Sequence, residues 1–330
     1  VNAIPPAEKV AGLAWHQLEK AWAFLDRAAQ RTTIKLRGQG ADEREAAHWS
    51  RPGGAAILSW QDHPVIRAHI NRRVSGDPEV NWLSFFAREF GNGGFESALN
   101  LGCGFGDLEA HAFALGLVKK FYSLDLSAGA IAAARERLRG RSVEFEVTDI
   151  NQLELEPEAY DAVFASSSLH HLVRLERVLD EVRKGLKPGG LFVFNEYVGP
   201  SRMQWQEEQL RIVNELLAAL APRYRRNLRK GYGYKRRVYR PPLDERDRNS
   251  PFEAARSAEI VPLTFQRYDI VIKRDYGGAL LHPLLDGIAG NFMDNPKDAG
   301  LLQRLARLEE ELEGAGIIGS DFTMIVARPR

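Results

Sequence analysis

The chain has 330 residues, with 45 Lys and Arg against 44 Asp and Glu, a formal charge of +1. Near-neutrality excludes binding of nucleic acid through bulk charge, and a lone cysteine, Cys103, excludes an internal disulfide framework. Apolar and charged fractions of 44% and 27% are those of a globular chain long enough for two domains or one elaborated domain.

No apolar run approaches the length of a membrane span, so no membrane partner is expected. The first residues lack the shape of a secretory signal peptide, and a start at Val1 points to a trimmed or incomplete N-terminus. A cytoplasmic location is expected, and no internal repeat is present.

Residues 8–90 read as helical. Trp15, Leu18, Trp22 and Leu25 share a face at helical spacing, Arg51-Pro52-Gly53-Gly54 breaks the pattern, and a second run ends before Ser75-Gly76-Asp77-Pro78. A third run, Val80 to Phe90, stops at Gly91-Asn92-Gly93-Gly94. From there strands and helices alternate: strand 97–101, helix 107–117, strand 120–125, helix 128–139, strand 143–148, strand 160–165, helix 174–186 and strand 190–196. Alternation predicts parallel pairing with right-handed crossovers. Leu175, Val178, Leu179, Val182 and Leu186 make one helical stripe, and Lys187-Pro188-Gly189-Gly190 stops that helix.

The rhythm is interrupted over 201–260. An amphipathic helix carrying Leu210, Val213, Leu216, Leu217 and Leu220 leads into a basic arm. Regular structure resumes with a helix near 253–265, strand 266–273, helices at 278–290 and 300–313, and a last strand at 321–328. That strand is expected to be antiparallel between its neighbours. The expected architecture is α/β, with a Rossmann-like seven-stranded, mostly parallel sheet. Its expected divisions are a helical cap over 1–94, a cofactor-binding core over 95–200, an inserted helix and lid arm over 201–260, and the rest of the sheet over 261–330.

The most informative segment is Leu99-Asn100-Leu101-Gly102-Cys103-Gly104-Phe105-Gly106, an apolar strand entering three alternating glycines before a helix. Such a turn brings bare backbone against a nucleoside cofactor. The dinucleotide fingerprint requires its third glycine at 107, which is Asp107, and Glu109 follows in the same turn. Two carboxylates there would repel a pyrophosphate. S-adenosylmethionine (SAM) has no phosphate and carries a sulfonium and an ammonium, so acidic neighbours suit it. Cys103 reads as a small turn residue rather than a nucleophile.

With Leu124-Asp125-Leu126-Ser127, Thr148-Asp149-Ile150, Tyr160-Asp161-Ala162-Val163, Leu169-His170-His171-Leu172 and Leu186-Lys187-Pro188-Gly189-Gly190, the chain resembles the class I SAM-dependent methyltransferases. The resemblance covers 95–200 closely and the last two strands loosely. It implies SAM as cofactor, S-adenosylhomocysteine as product, and cofactor contacts from Asn100, Gly102, Cys103, Gly104, Gly106 and Leu126. It further implies that Asp125 accepts from both ribose hydroxyls, that Asp149 meets the adenine amino group, that Ile150 packs on the adenine and that Ser166 lies near the methionine portion. One departure is Asn100, where the family usually has an acid; Asp107 or Glu109 could supply the charge instead.

Methyl transfer from a sulfonium is an in-line displacement, so positioning dominates and a base is needed only for a protonated acceptor. Candidates lie at the carboxyl ends of strands four and five: His170, His171, Glu196 and Tyr197. Adjacent helical residues point about 100° apart, so one histidine is expected to face the pocket and the other to pack. No metal site is expected, because adjacent histidines are not a helical ligand pair and cysteine ligands are absent.

Arg223 to Arg240 holds nine Lys or Arg and no acid in eighteen residues. It reads as a solvated loop, or as a lid over an anionic acceptor, with Arg225 and Arg226 as candidate contacts and His282 and Asn291 lining the same pocket. Tyr224, Tyr232, Tyr234 and Tyr239 interleave with the charges, so RNA contact is a third reading. The expected function is methyl transfer to oxygen or nitrogen of a small or glycan-like acceptor. An RNA methyltransferase and a degenerate SAM-fold scaffold are the alternatives; nucleic acid is not the expected partner.

Overall fold

The computed structural model describes residues 40–49, 59–243, 250–293 and 296–330. The predicted stripe Trp15, Leu18, Trp22 and Leu25 and the break at 51–54 lie outside the described residues. In chain order come α1 (Ala41–Trp49), α2 (Pro64–Ser75), α3 (Trp82–Phe90), β1 (Phe95–Leu101), α4 (Asp107–Ala114), β2 (Val118–Asp125), α5 (Ala128–Arg137) and β3 (Val143–Val147). There follow β4 (Tyr160–Ser166), α6 (Leu175–Gly185), β5 (Leu186–Tyr197), α7 (Glu207–Ala219), α8 (Ser257–Arg267), β6 (Tyr268–Gly277), α9 (Leu281–Leu285), α10 (Pro296–Gly314) and β7 (Phe322–Pro329). The helix predicted over 278–290 is instead the short α9 and a 3₁₀ turn at Ala289–Phe292, with Gly287 at φ +70° between them.

The sheet has the order β3-β2-β1-β4-β5-β7-β6. β7 runs antiparallel to both β5 and β6, as expected. The order reverses between β1 and β4, which opens a crevice at their carboxyl ends.

Strand periodicity divides the core into two layers. Ala98, Phe121, Ala162, Phe164, Val193, Met324 and Val326 face one way, against Phe86 of α3 and residues of α7, α9 and α10. Leu99, Leu101, Val163, Phe192, Phe194 and Ile325 face the other, against the α6 stripe of Leu175, Val178, Leu179 and Val182. Each large residue of these layers contributes on the order of 3 kcal/mol. The segment predicted to stop α6 lies within β5: Leu186 pairs with Tyr160 and Leu191 with Ala162, so residues 187–190 bulge between them.

Candidate functional site

A cavity of about 380 Å³ fills the crevice, lined by the turn after β1, the ends of β2 and β3, the loop after β4, and α1. The glycine turn is shaped by close approach. Gly102 has φ +74°, and a Cβ there would lie 2.5 Å from the Ser168 side chain. Gly104 has φ +52° and open space where its Cβ would be. Gly106 lies outside the lining: at φ +76° it lets Leu138 and Ala134 of α5 approach, so its role is packing rather than cofactor contact. Cys103 is buried, and burial with Glu109 and Asp125 nearby pushes its thiol pKa up, which leaves it a turn residue.

Asp125 ends β2 and ties the turn together. Its Oδ2 accepts from the Gly104 N–H and its Oδ1 from the Ser127 N–H, both at 2.8 Å. Each oxygen keeps lone-pair capacity toward the cavity. Asp149 accepts from the Asn151 N–H and side-chain amide at 2.9 Å and from Gln152 at 3.1 Å. Leu126, Ile150 and Ser166 also line the cavity.

Asn100 lines the cavity while 1% exposed. Its amide donates to Glu109 Oε1 at 2.8 Å, and the Ser123 hydroxyl donates to the same oxygen at 2.6 Å. Glu109 is fully buried, and burial raises its pKa. The Asn100 Oδ1 is a buried acceptor without a hydrogen-bond partner among the described residues. Asp107 is exposed and paired with Arg137, so of the two acids offered for the missing charge Glu109 stands directly behind Asn100.

The loop after β4 carries a 3₁₀ turn at Leu169–His171. His171 lines the cavity, and its Nδ1 lies 2.9 Å from Glu45 Oε1 of α1. His170 stands behind it, 7% exposed, with Nδ1 2.7 Å from Glu196 Oε2. Burial disfavours the charged imidazole of His170, but Glu196, Glu253 and Glu45 outweigh it and raise its pKa. His171 thus faces the cavity while His170 packs behind it; the ring centroids are 4.2 Å apart, and each Nε2 lies 3.8 Å from a carboxylate oxygen of Glu253. No metal site is expected from the sequence; His170, His171 and Glu253 nevertheless bring possible donor atoms within 4.8 Å of one another.

Other predicted residues stand elsewhere. Glu196 is fully buried and outside the lining; its Oε1 accepts from the Ser168 and Leu169 N–H groups. Tyr197 is 3% exposed, donates to the Pro200 carbonyl and packs against His282 and Phe322. Arg225, Arg226, His282 and Asn291 do not line the cavity. His282 sits among Trp60, Tyr197, Trp205 and Phe322. Asn291 donates to the Tyr224 and Arg226 carbonyls and so fastens the basic arm. The arm is further held by Tyr224 stacked on Phe292 and donating to Asp298, and by Lys235 donating to the Pro283 and Asp286 carbonyls.

The cavity has contributors that sequence reasoning missed: Asp42, Glu45, Asn151, Ser167, Ser168 and Phe252. Glu45 accepts from the Ser250 hydroxyl and the Phe252 N–H, which joins α1 to the segment before α8 across the cavity mouth. Ser167 at φ +53° is the one feature here with a local backbone signature of a working site.

The lining suits a phosphate-free nucleoside cofactor. Asp42, Glu45, Asp107, Asp125 and Asp149 line it, and no Lys or Arg does among the described residues. The unpartnered Asn100 Oδ1 offers an acceptor to an ammonium, and the open face of Gly104 offers space for a close-lying ligand. Sheet order, glycine turn and acidic strand ends define the Rossmann-like methyltransferase class. Residues 99–194 match the family model described as a methyltransferase domain, which supports the class I SAM-dependent methyltransferase family for this segment.

An uncharacterized 37.1 kDa protein in a transposon of Streptomyces fradiae is 31% identical over 156 residues, 47% of this chain and 45% of that protein. A demethylmenaquinone methyltransferase of Clavibacter sepedonicus is 35% identical over 106 residues, 32% of this chain and 42% of that protein. The chain thus spans less than half the length of these two relatives. A SAM-dependent methyltransferase structure from Mesorhizobium loti is 20% identical with a TM-score of 0.44, covering 76% of this chain and 97% of that one. No helix among the described residues is long and apolar enough to cross a membrane.

Proposed function

We propose that the chain transfers the SAM methyl group to oxygen or nitrogen of a neutral or cationic small molecule. The observation that carries this reading is the acidic cavity at the sheet's switch point, lined by no Lys or Arg among the described residues and with His171 in its wall. In this reading Asp125 holds the ribose hydroxyls, Asp149 the adenine amino group, Ile150 and Leu126 the adenine faces, and Asn100 Oδ1 the methionine ammonium. Glu109 behind Asn100 takes the place of the acid usual in the family.

When bound, SAM supplies a methyl group already activated by its sulfonium. The protein's part is then to aim the acceptor along the line of displacement, exclude water and let the acceptor's proton leave. Phe252 and Leu172 supply apolar walls, and α1 covers the mouth through Glu45. His171, between Glu45 and Glu253, stands where that proton would leave. An anionic acceptor is disfavoured, because the arm's arginines do not reach the cavity and the carboxylates do.

The test is incubation with methyl-labelled SAM and a panel of amines, phenols and quinols, the last suggested by the name of the Clavibacter relative. Label should pass to a neutral or cationic member and not to sugar phosphates. SAM binding with no transfer to any small molecule, or transfer to RNA instead, would overturn the reading.

A further inference from the structure

We propose that His170, His171 and Glu253 form a binding site for one divalent transition-metal ion of the zinc type, in the wall of the cofactor cavity. Both Nε2 atoms face the Glu253 carboxylate at 3.8 Å, too far for a hydrogen bond. An ion with bonds of about 2.0–2.2 Å holds its donors roughly 3–4 Å apart, which is this spacing. The other nitrogen of each ring faces a different carboxylate: Glu196 at 2.7 Å from His170 Nδ1 and Glu45 at 2.9 Å from His171 Nδ1. Outer carboxylates of this kind fix ring orientation and turn the opposite nitrogen toward a metal.

The donor set selects the ion. Imidazole nitrogens with a carboxylate favour zinc and its first-row neighbours over magnesium and calcium, which take oxygen ligands. Two imidazoles and one carboxylate leave a coordination position, as in sites where zinc acts on a bound oxygen. Of the three donors His171 lines the cavity, which sets the site against its wall. The scaffold is rigid: Glu196 clamps the turn before His170, and the Ala255 N–H donates to the His170 carbonyl at 3.0 Å, tying the Glu253 loop to it.

Ion binding depends on these side chains alone; a role in methyl transfer rests on the reading above. There the ion would polarise an acceptor hydroxyl. The O–H bond breaks with its proton passing to solvent, the oxygen lone pair forms the O–CH₃ bond, and the S–CH₃ electron pair returns to sulfur, giving S-adenosylhomocysteine.

The experiment treats the purified full chain with chelator and titrates it with Zn²⁺ by calorimetry and with Co²⁺ by visible absorption. SAM is titrated into the same metal-free sample. One ion per chain is expected, with Glu253→Gln and His171→Asn each weakening it at least about a hundredfold and Glu196→Gln about ten- to a hundredfold. Thermal unfolding identifies any variant that fails to fold, and the conservative Glu253→Gln, at a half-buried loop position, keeps the test open if the histidine variants do. No ion bound, or affinity unchanged in the folded variants, overturns the site. SAM binding without an ion removes only this site; loss of SAM binding as well removes the reading beneath it.

Discussion

Glu196 Oε2 lies 2.7 Å from His170 Nδ1, while its other oxygen accepts from the Ser168 and Leu169 N–H groups. One fully buried carboxylate at the end of β5 thus sets the loop after β4 and the ring that follows it. It acts through its neighbours, as a positioning residue. Glu196→Gln replaces one acceptor oxygen by a donor that faces a donor. We expect a loss of about 1–3 kcal/mol of stability and a fall in kcat, with SAM affinity little changed. Denaturant unfolding and calorimetry check this; a variant with wild-type kcat would contradict it.

Gly102 admits no side chain. Gly102→Ala combines positive φ with a Cβ 2.5 Å from Ser168, whose hydroxyl donates to the Leu101 carbonyl. The loop after β4 must move, and SAM affinity should fall at least tenfold, or about 1.4 kcal/mol. Gly104→Ala has open space, so at φ +52° it should meet backbone strain without a clash, fold with a smaller loss of stability and intrude on the ligand. Calorimetry separates the two, together with a melting temperature lowered more in the first.

The basic arm is structural toward the C-terminal region rather than toward the cavity. Asn291→Ala removes two hydrogen bonds to the arm's backbone, and Tyr224→Phe removes the hydroxyl that donates to buried Asp298. Each should destabilise by about 1–2 kcal/mol and leave SAM affinity unchanged. Neutralising Arg225 and Arg226 should leave the acceptor KM unchanged as well. A raised KM would restore the arm to the substrate path.

Stability should decline as pH rises from the ordinary carboxylate range to neutrality and level off above it. Burial pushes Glu309 and Asp321 up to about 7, against ordinary values of 4.5 and 3.8, despite hydrogen bonds that oppose the shift. The folded chain therefore binds protons that the unfolded chain has released. Their contribution is fully present below the unfolded values and is lost as pH rises through 7, by a few kcal/mol between them. Melting temperatures from pH 5 to pH 8 should fall, and Glu309→Gln should flatten the slope. A slope unchanged in that variant would assign the effect to other groups.

What the sequence disclosed follows from how local each signal is. The glycine turn, Asp125 and Asp149 lie at strand ends, where apolar alternation and a helix start bracket them, so spacing alone placed them at one edge of the sheet. Asp161 belongs to an equally legible motif but sits at the opposite end, where it accepts from the Ser97 N–H and pairs with Lys187. Glu196 and Tyr197 were on the right strand, but alternation and burial carry them beneath the loop rather than into the cavity. Glu45 and Glu253 carry no local signature, because distant packing of α1 and the segment before α8 brings them to the histidines. The arm's charge run was visible; that its tyrosine and lysine dock onto Pro283, Asp286, Phe292 and Asp298 was not, since the partners are two carbonyls, a ring and one buried aspartate.

The central claim is that the cavity holds SAM by the Asp125 carboxylate over the turn at 102–106. Calorimetric titration of SAM into the wild-type chain and into Asp125→Ala tests it most directly. We expect one site per chain, competed by S-adenosylhomocysteine, with the variant at least tenfold weaker from loss of charge-assisted hydrogen bonds. Equal affinity in the two proteins, no heat with SAM, or binding of a nicotinamide dinucleotide in its place would contradict it.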